Sequence, residues 1–233
     1  MSNFAILLLL ISATLHTSWN LLIKQADDKY IVTWWMVSIG GIFALIALFF
    51  TGLPPRAMWP FALISICVEA TYFTTLSYAY HDNDFSLIYP VARGSAPAFL
   101  ALWSFLFLHE KLTSGGLLGL GMIIGGLLII GINTLTQAHV TNVHFKGAAV
   151  ALFIALLISI YSAIDGAAVR NGFAVPYVMS MFAFVPIPLT PFIFREYKWE
   201  RIKTALVNQP IRVPLAGVLG VLAYLMAVFS YSI

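Results

Sequence analysis

Charge is scarce in this chain: only 9% of its 233 residues are Asp, Glu, Lys or Arg, where a soluble domain carries about 25%. A water-facing surface cannot be built from so little. Cysteine is nearly absent too. Cys67 stands alone in an apolar segment, which excludes an internal disulfide and any CxxC redox pair and points to a buried structural thiol. There is no HExxH, no phosphate loop and no nucleophile elbow, so the soluble-type catalytic signatures are missing. His16 and His109 have no Cys or carboxylate at metal-ligand spacing apart from Glu110, which adjoins His109. No metal, no cofactor and no enzymatic activity are expected. Twelve basic against nine acidic side chains is too small an excess to imply a nucleic-acid partner, and it bears instead on loop orientation. The first apolar run lacks a basic leader and a clear cleavage site, so it reads as a span and not as a signal peptide.

Apolar residues are what the chain has. They make up 61% of it, and the mean hydropathy is +0.94. Eight apolar segments emerge at about 4–24, 31–52, 58–80, 85–108, 115–134, 147–170, 175–194 and 213–233. These runs are too long for barrel strands and do not alternate, which leaves helices. The expected fold is an all-α membrane protein with about eight transmembrane helices, localised to a cell membrane, with a bacterial inner membrane favoured. Most connections are short, so sequence neighbours lie antiparallel and adjacent. The link at 195–212 holds five basic residues and suits an amphipathic stretch at the membrane interface. Trp19, Trp34, Trp35 and Trp59 fall near predicted helix ends, as an aromatic belt would. The fifth segment carries Gly115, Gly119, Gly121, Gly125 and Gly126, spaced for a tight helix contact. Four prolines in the seventh, Pro176, Pro186, Pro188 and Pro191, should kink or break it.

Polar residues inside the spans carry the functional signal. Arg93 lies within the fourth segment, where an arginine costs about 2.5–3.5 kcal/mol on insertion scales and faces a partner, water or a ligand instead of lipid. Glu69 sits mid-way along the third. Both reach roughly 16–20 Å from the turn joining these segments at 1.5 Å per residue, so the two can pair. Such a pair either fixes helix register or borders a substrate cavity. Tyr89 precedes Arg93 by one turn, with Pro90 between them and the Gly94–Ser95 step just after. His16, Asn20 and Lys24 form one stripe of the first helix, and Tyr161 and Asp165 form a matching i, i+4 pair in the sixth. These stripes either glue helices together or line a cavity. An ionisable Asp165 inside a span suits ion coupling, with Arg170 as an alternative neutralising partner.

Laying 16–36 on 161–181 pairs His16 with Tyr161, Asn20 with Asp165 and Met36 with Met181. Further on, Ser77 and Tyr78 fall on Ser230 and Tyr231. An odd-numbered repeat of five helices inverts its second copy, an architecture of transporters. The predicted division is 1–134 as a first repeat, 135–145 as a linker and 146–233 as a second repeat of three helices only. On that register the second copy is incomplete. Its eighth segment should expose Ser230, Tyr231 or Ser232 unless another copy of the chain covers them, a homo-oligomer.

The stretch 72–131 resembles EamA-type permeases of the drug/metabolite transporter superfamily. Pro90 to Arg93, then Glu110-Lys111-Leu112, then the glycine-rich run from Gly115 to Gly131 fill the places of that family's motifs, with His109 where the family has glycine. Residues 16–24 and 161–170 look like its first and sixth helices. The resemblance implies ten helices as two inverted five-helix repeats, of which this chain would lack the last two, and transport without ATP. The expected function is that of a secondary transporter, or permease, moving a small organic metabolite or drug-like compound. Its cavity would be lined by helices 1, 3, 4 and 6, with Arg93, Tyr89, Tyr72, Glu69, His16, Asn20 and Tyr161 binding substrate and Asp165 coupling an ion. The expected partners are a small-molecule substrate and membrane lipid. A truncated non-transporting membrane protein or partner subunit is the alternative. Basic residues gather on the face of Lys24, Lys29 and the 195–212 link, an orientation opposite to the cytoplasmic start usual in the family.

Overall fold

The computed structural model describes residues 3–82, 85–107, 113–137 and 142–232. Its helices are α1 (Asn3–Lys24), α2 (Lys29–Thr51), α3 (Trp59–Asp82), α4 (Phe85–Phe107), α5 (Ser114–Gln137), α6 (Asn142–Ala168), α7 (Ala174–Phe184), α8 (Pro186–Glu196), α9 (Trp199–Asn208) and α10 (Arg212–Ser230). No strand occurs among the described residues. Each predicted apolar segment is helical over most of its described residues. Among the described residues, six stretches are long and apolar enough to cross a membrane: Asn3–Lys24, Lys29–Thr51, Arg56–His81, Lys146–Asn171, Ala174–Glu196 and Arg212–Ser230. The protein is an all-α membrane protein. Glu110, Lys111 and His109, which carry the predicted turn motif, lie outside the described residues.

Local chemistry sets the helix ends. Asp28 caps α2 by accepting the Ile31 backbone N–H at 3.2 Å, and Gly52, at φ +73°, ends it with its N–H on the Leu48 carbonyl. The prolines act where predicted. One apolar stretch becomes two helices meeting at Val185. Pro186 has no N–H for the Phe182 carbonyl one turn back. That oxygen lies only 3.0 Å from where a Cβ on Gly41 would stand, so Gly41 is what lets the kinked stretch rest on α2.

The chain divides into two compact units, one of residues 1–77 with 164–233, the other of residues 78–163. Within the first, α1 packs on α10, α10 on α2, and α2 on α7. Ser12 donates to the Ala223 carbonyl at 2.7 Å across the α1–α10 contact. The α2–α10 crossing is closer still: a Cβ on Gly217 would stand 2.6 Å from the Met36 carbonyl oxygen, and one on Gly40 3.0 Å from the Gly217 oxygen. Within the second unit, α4 packs on α5, with the Leu127 side chain filling the space beside Gly94. There, too, Trp103 donates its indole N–H to Ser159 at 2.9 Å.

Three expectations are corrected. Gly115, Gly119, Gly121, Gly125 and Gly126 of α5 make no tight helix contact among the described residues, for a Cβ at any of them would meet nothing within 4 Å. Close approach uses Gly40, Gly41 and Gly217 instead, because backbone contact needs glycine on facing ridges and not merely glycine in number. Cys67 is exposed. It lies on the face of α3 with Phe61, Leu63 and Ile64, a face apolar enough for lipid. Trp19 is buried against Phe73, so it is a core residue and not part of a belt. Ser230 is buried, while Tyr231 is exposed.

Candidate functional site

The burial pattern of α3 is a single stripe. Ala62, Ser65, Ile66, Glu69, Phe73, Leu76 and Ser77 face inward, recurring at three and four residues as one face of a helix must. Ser65 and Glu69 are thus neighbours on the inward side, one turn apart. The same unit brings the end of α6 and parts of α7 and α10 to this level. Asp165, fully buried, accepts a hydrogen bond from the Tyr177 hydroxyl at 2.6 Å and another from the Tyr224 hydroxyl. The Ser65 hydroxyl is a third polar neighbour of that carboxylate, though it falls short of good hydrogen-bond geometry. Glu69 lies within electrostatic reach of the Tyr177 hydroxyl and is itself 3% exposed. Among the described residues, no Lys, Arg or His forms an ion pair with Asp165. Its neighbours are hydroxyl groups.

Such a site has a definite chemistry. A carboxylate in an apolar span is costly while charged unless a cation or a proton neutralises it. Two phenol O–H groups aimed at its oxygens stabilise the charged form by charge-assisted hydrogen bonds, yet they leave its net charge in place. A proton or another small cation would complete such a site.

The sequence-predicted residues divide between the two units. Glu69, Asp165, Tyr72, His16 and Asn20 belong to the first. Tyr72 is buried beside Phe73. His16 is half-buried, its Nδ1 accepting the Trp19 indole N–H at 3.0 Å. Asn20 is buried and donates to the His16 carbonyl at 2.7 Å. Arg93, Tyr89 and Tyr161 belong to the second unit. Tyr161 is buried, Arg93 is half-buried, and Tyr89 stacks on Phe85 with ring centroids 4.9 Å apart. Three members of the cluster were missed in the sequence: Ser65, Tyr177 and Tyr224. A signal existed for two of them. Tyr224 is the one polar side chain in the apolar run from Val213 to Phe229, and Tyr177 follows Asp165 across a short turn, where an antiparallel neighbour places it opposite.

The 195–212 link forms the amphipathic helix α9. Its Arg201 pairs with Asp28 at 2.9 Å, and the Ile202 carbonyl accepts the Trp35 indole N–H at 2.8 Å. These contacts put the α1–α2 and α8–α10 links on one membrane face, as the segment order predicts. Arg201 also sits over the Tyr197 ring at 5.2 Å. Burial, then the nearby Asp28 charge, pushes the Tyr197 phenol above its ordinary value, so it stays neutral at physiological pH. Replacing Trp35 with Phe keeps an aromatic ring but removes the hydrogen bond, together with the pyrrole half of the indole. The expected loss is about 0.5–1.5 kcal/mol, read as a lower melting temperature together with faster proteolysis within 197–211.

Comparison with known proteins agrees with the fold. One solved crystal structure of a protein superposes with a TM-score of 0.59 at 18% identity, covering 98% of this chain and 82% of that one, which is a likeness of fold. No curated protein matches the chain. Residues 3–132 match the EamA-like transporter family, a family of membrane transporters and not of enzymes. That match spans more than half of the sequence, and the chain belongs to the EamA-like transporter family.

Proposed function

We propose that the protein is a proton-coupled secondary transporter of a small organic metabolite or drug-like compound, with Asp165 as its proton-carrying group. One observation carries the coupling: a fully buried carboxylate in a membrane helix whose hydrogen-bond partners are two tyrosine hydroxyls. Family membership supports the transport. In this reading Tyr177 and Tyr224 hold the carboxylate in position, and the proton moves on and off its oxygens as access alternates between the two sides. Glu69, in electrostatic reach of Tyr177, senses the charge on the site. Arg93, Tyr89, Tyr72, His16, Asn20 and Tyr161 bind substrate in a cavity lined by α1, α3, α4 and α6, and an inverted repeat relates 1–134 to 146–233. The burial of Tyr72, Asn20 and Tyr161 supports an inward-facing role for them.

Proteoliposomes loaded with a pH-sensitive dye test the proposal. Amino acids, purines and lipophilic organic cations are added one at a time from outside. At least one class is expected to change the lumenal pH in protein-containing vesicles and not in empty ones. If labelled compounds cross without proton movement, the coupling is wrong. If none of them crosses, the transport reading fails for these classes.

A further inference from the structure

Where the α1–α2 link meets α9 there is an open cleft of about 290 Å³. Its walls include Asp27, Asp28, Arg201 and Thr204, and its base is apolar, with Ile31 and Val32. Residues 25–28 and 197–211 lie outside the membrane-crossing stretches. Trp35, Trp199 and Phe194 cluster beside them, with Trp35 6.3 Å from Trp199 and Phe194 5.9 Å from it between ring centroids. Aromatic clusters of that kind mark headgroup depth. The cleft therefore opens where lipid headgroups lie.

Its electrostatics select a ligand. Two carboxylates face one guanidinium, so the walls carry one net negative charge. Asp28 is fully engaged, by Arg201 and by the Ile31 N–H. Asp27 is exposed and has no hydrogen-bond or ion-pair partner among the described residues. Thr204 donates its proton to the Glu200 carbonyl at 2.7 Å, which leaves only acceptor capacity toward the cleft. The Lys29 ammonium is turned to the Ala26 carbonyl and does not line the space. Asn208 and Gln209, also in the wall, stand at the C-terminal end of α9, where the helix dipole favours a cation. Arg201, 67% exposed in its side chain, keeps N–H groups for an anion beyond the one given to Asp28.

We propose that this cleft binds a phosphoethanolamine group, its ammonium on Asp27 and Thr204 and its phosphodiester on Arg201. A membrane phosphatidylethanolamine and a soluble phosphoethanolamine ester share that chemistry. A trimethylammonium headgroup offers no N–H to Asp27, and an anionic headgroup meets a wall of its own sign.

Native mass spectrometry of the full chain in detergent tests this, with dioleoyl-phosphatidylethanolamine, -phosphatidylcholine and -phosphatidylglycerol added in turn. Retention of the ethanolamine lipid is expected to exceed that of the other two by roughly five- to tenfold, the value of about one charge-assisted hydrogen bond. Asp27→Asn should erase the preference. Asp27 has no partner to lose, so its melting temperature should stay unchanged and folding is not at issue. Glu196→Gln, outside the cleft, should retain the preference. Competition by glycerophosphoethanolamine at equal concentration keeps the recognition and assigns its source to solution; failure to compete assigns it to the bilayer. Equal retention of the three lipids, or a preference that survives Asp27→Asn, overturns the proposal. Transport activity does not enter the measurement, so this result stands or falls apart from the function proposed above.

Discussion

Asp165→Asn is expected to abolish accumulation driven by a pH gradient while leaving exchange at equal pH in place. One pH unit is worth about 1.36 kcal/mol per proton. With one proton per substrate, that sustains roughly a tenfold concentration ratio across the vesicle membrane. The asparagine variant cannot carry the proton, so its ratio should fall to about one, whereas counterflow of labelled for unlabelled substrate persists. The variant should remain folded. Asparagine is nearly isosteric and its oxygen can still accept from one of the two tyrosines. Asp165→Leu is the harsher control, because the Tyr177 and Tyr224 hydroxyls both lose their acceptor and each unsatisfied buried group costs about 1–3 kcal/mol. A tenfold gradient surviving in the asparagine variant would remove Asp165 from the coupling.

Gly217→Ala should destabilise the protein sharply, although it adds a single methyl group. That methyl would lie 2.6 Å from the Met36 carbonyl oxygen and 3.0 Å from the Gly40 backbone nitrogen. Both atoms are main chain inside a helix, so relief requires α2 and α10 to move apart. Overpacking of this kind costs about 1–3 kcal/mol, or roughly 2–10 °C in melting temperature for a chain of this size. Gly121→Ala supplies the contrast. Its methyl would meet nothing within 4 Å, and alanine favours the helix by about 1 kcal/mol, so a neutral or raised melting temperature is expected. Equal responses in a thermal-shift series would mean that the α2–α10 crossing is not the tight contact described.

The helical character of the apolar segments, the proline break and the amphipathic link could be read from the chain, because each depends on local composition. An apolar run long enough to span cannot satisfy its backbone except as a helix. Pro186 removes an N–H wherever the helix is packed. The site was only partly legible. Arg93, Asp165 and Glu69 stood out because an ionisable group in an apolar run is rare and costly. Tyr177 and Tyr224 did not stand out, since tyrosine is common in membrane helices and its role depends on what its hydroxyl meets.

By itself the sequence determined that the protein is helical, membrane-embedded and a member of a transporter family, because hydropathy, helix breakers and motif spacing act over a few turns of chain. Only the tertiary structure decided which glycines let backbones touch, that Cys67 faces outward and Trp19 inward, and that Asp165 is held by Tyr177 and Tyr224. Those outcomes depend on the rotation of each helix about its axis and on which neighbour it meets, and both are set by packing between residues far apart in the chain.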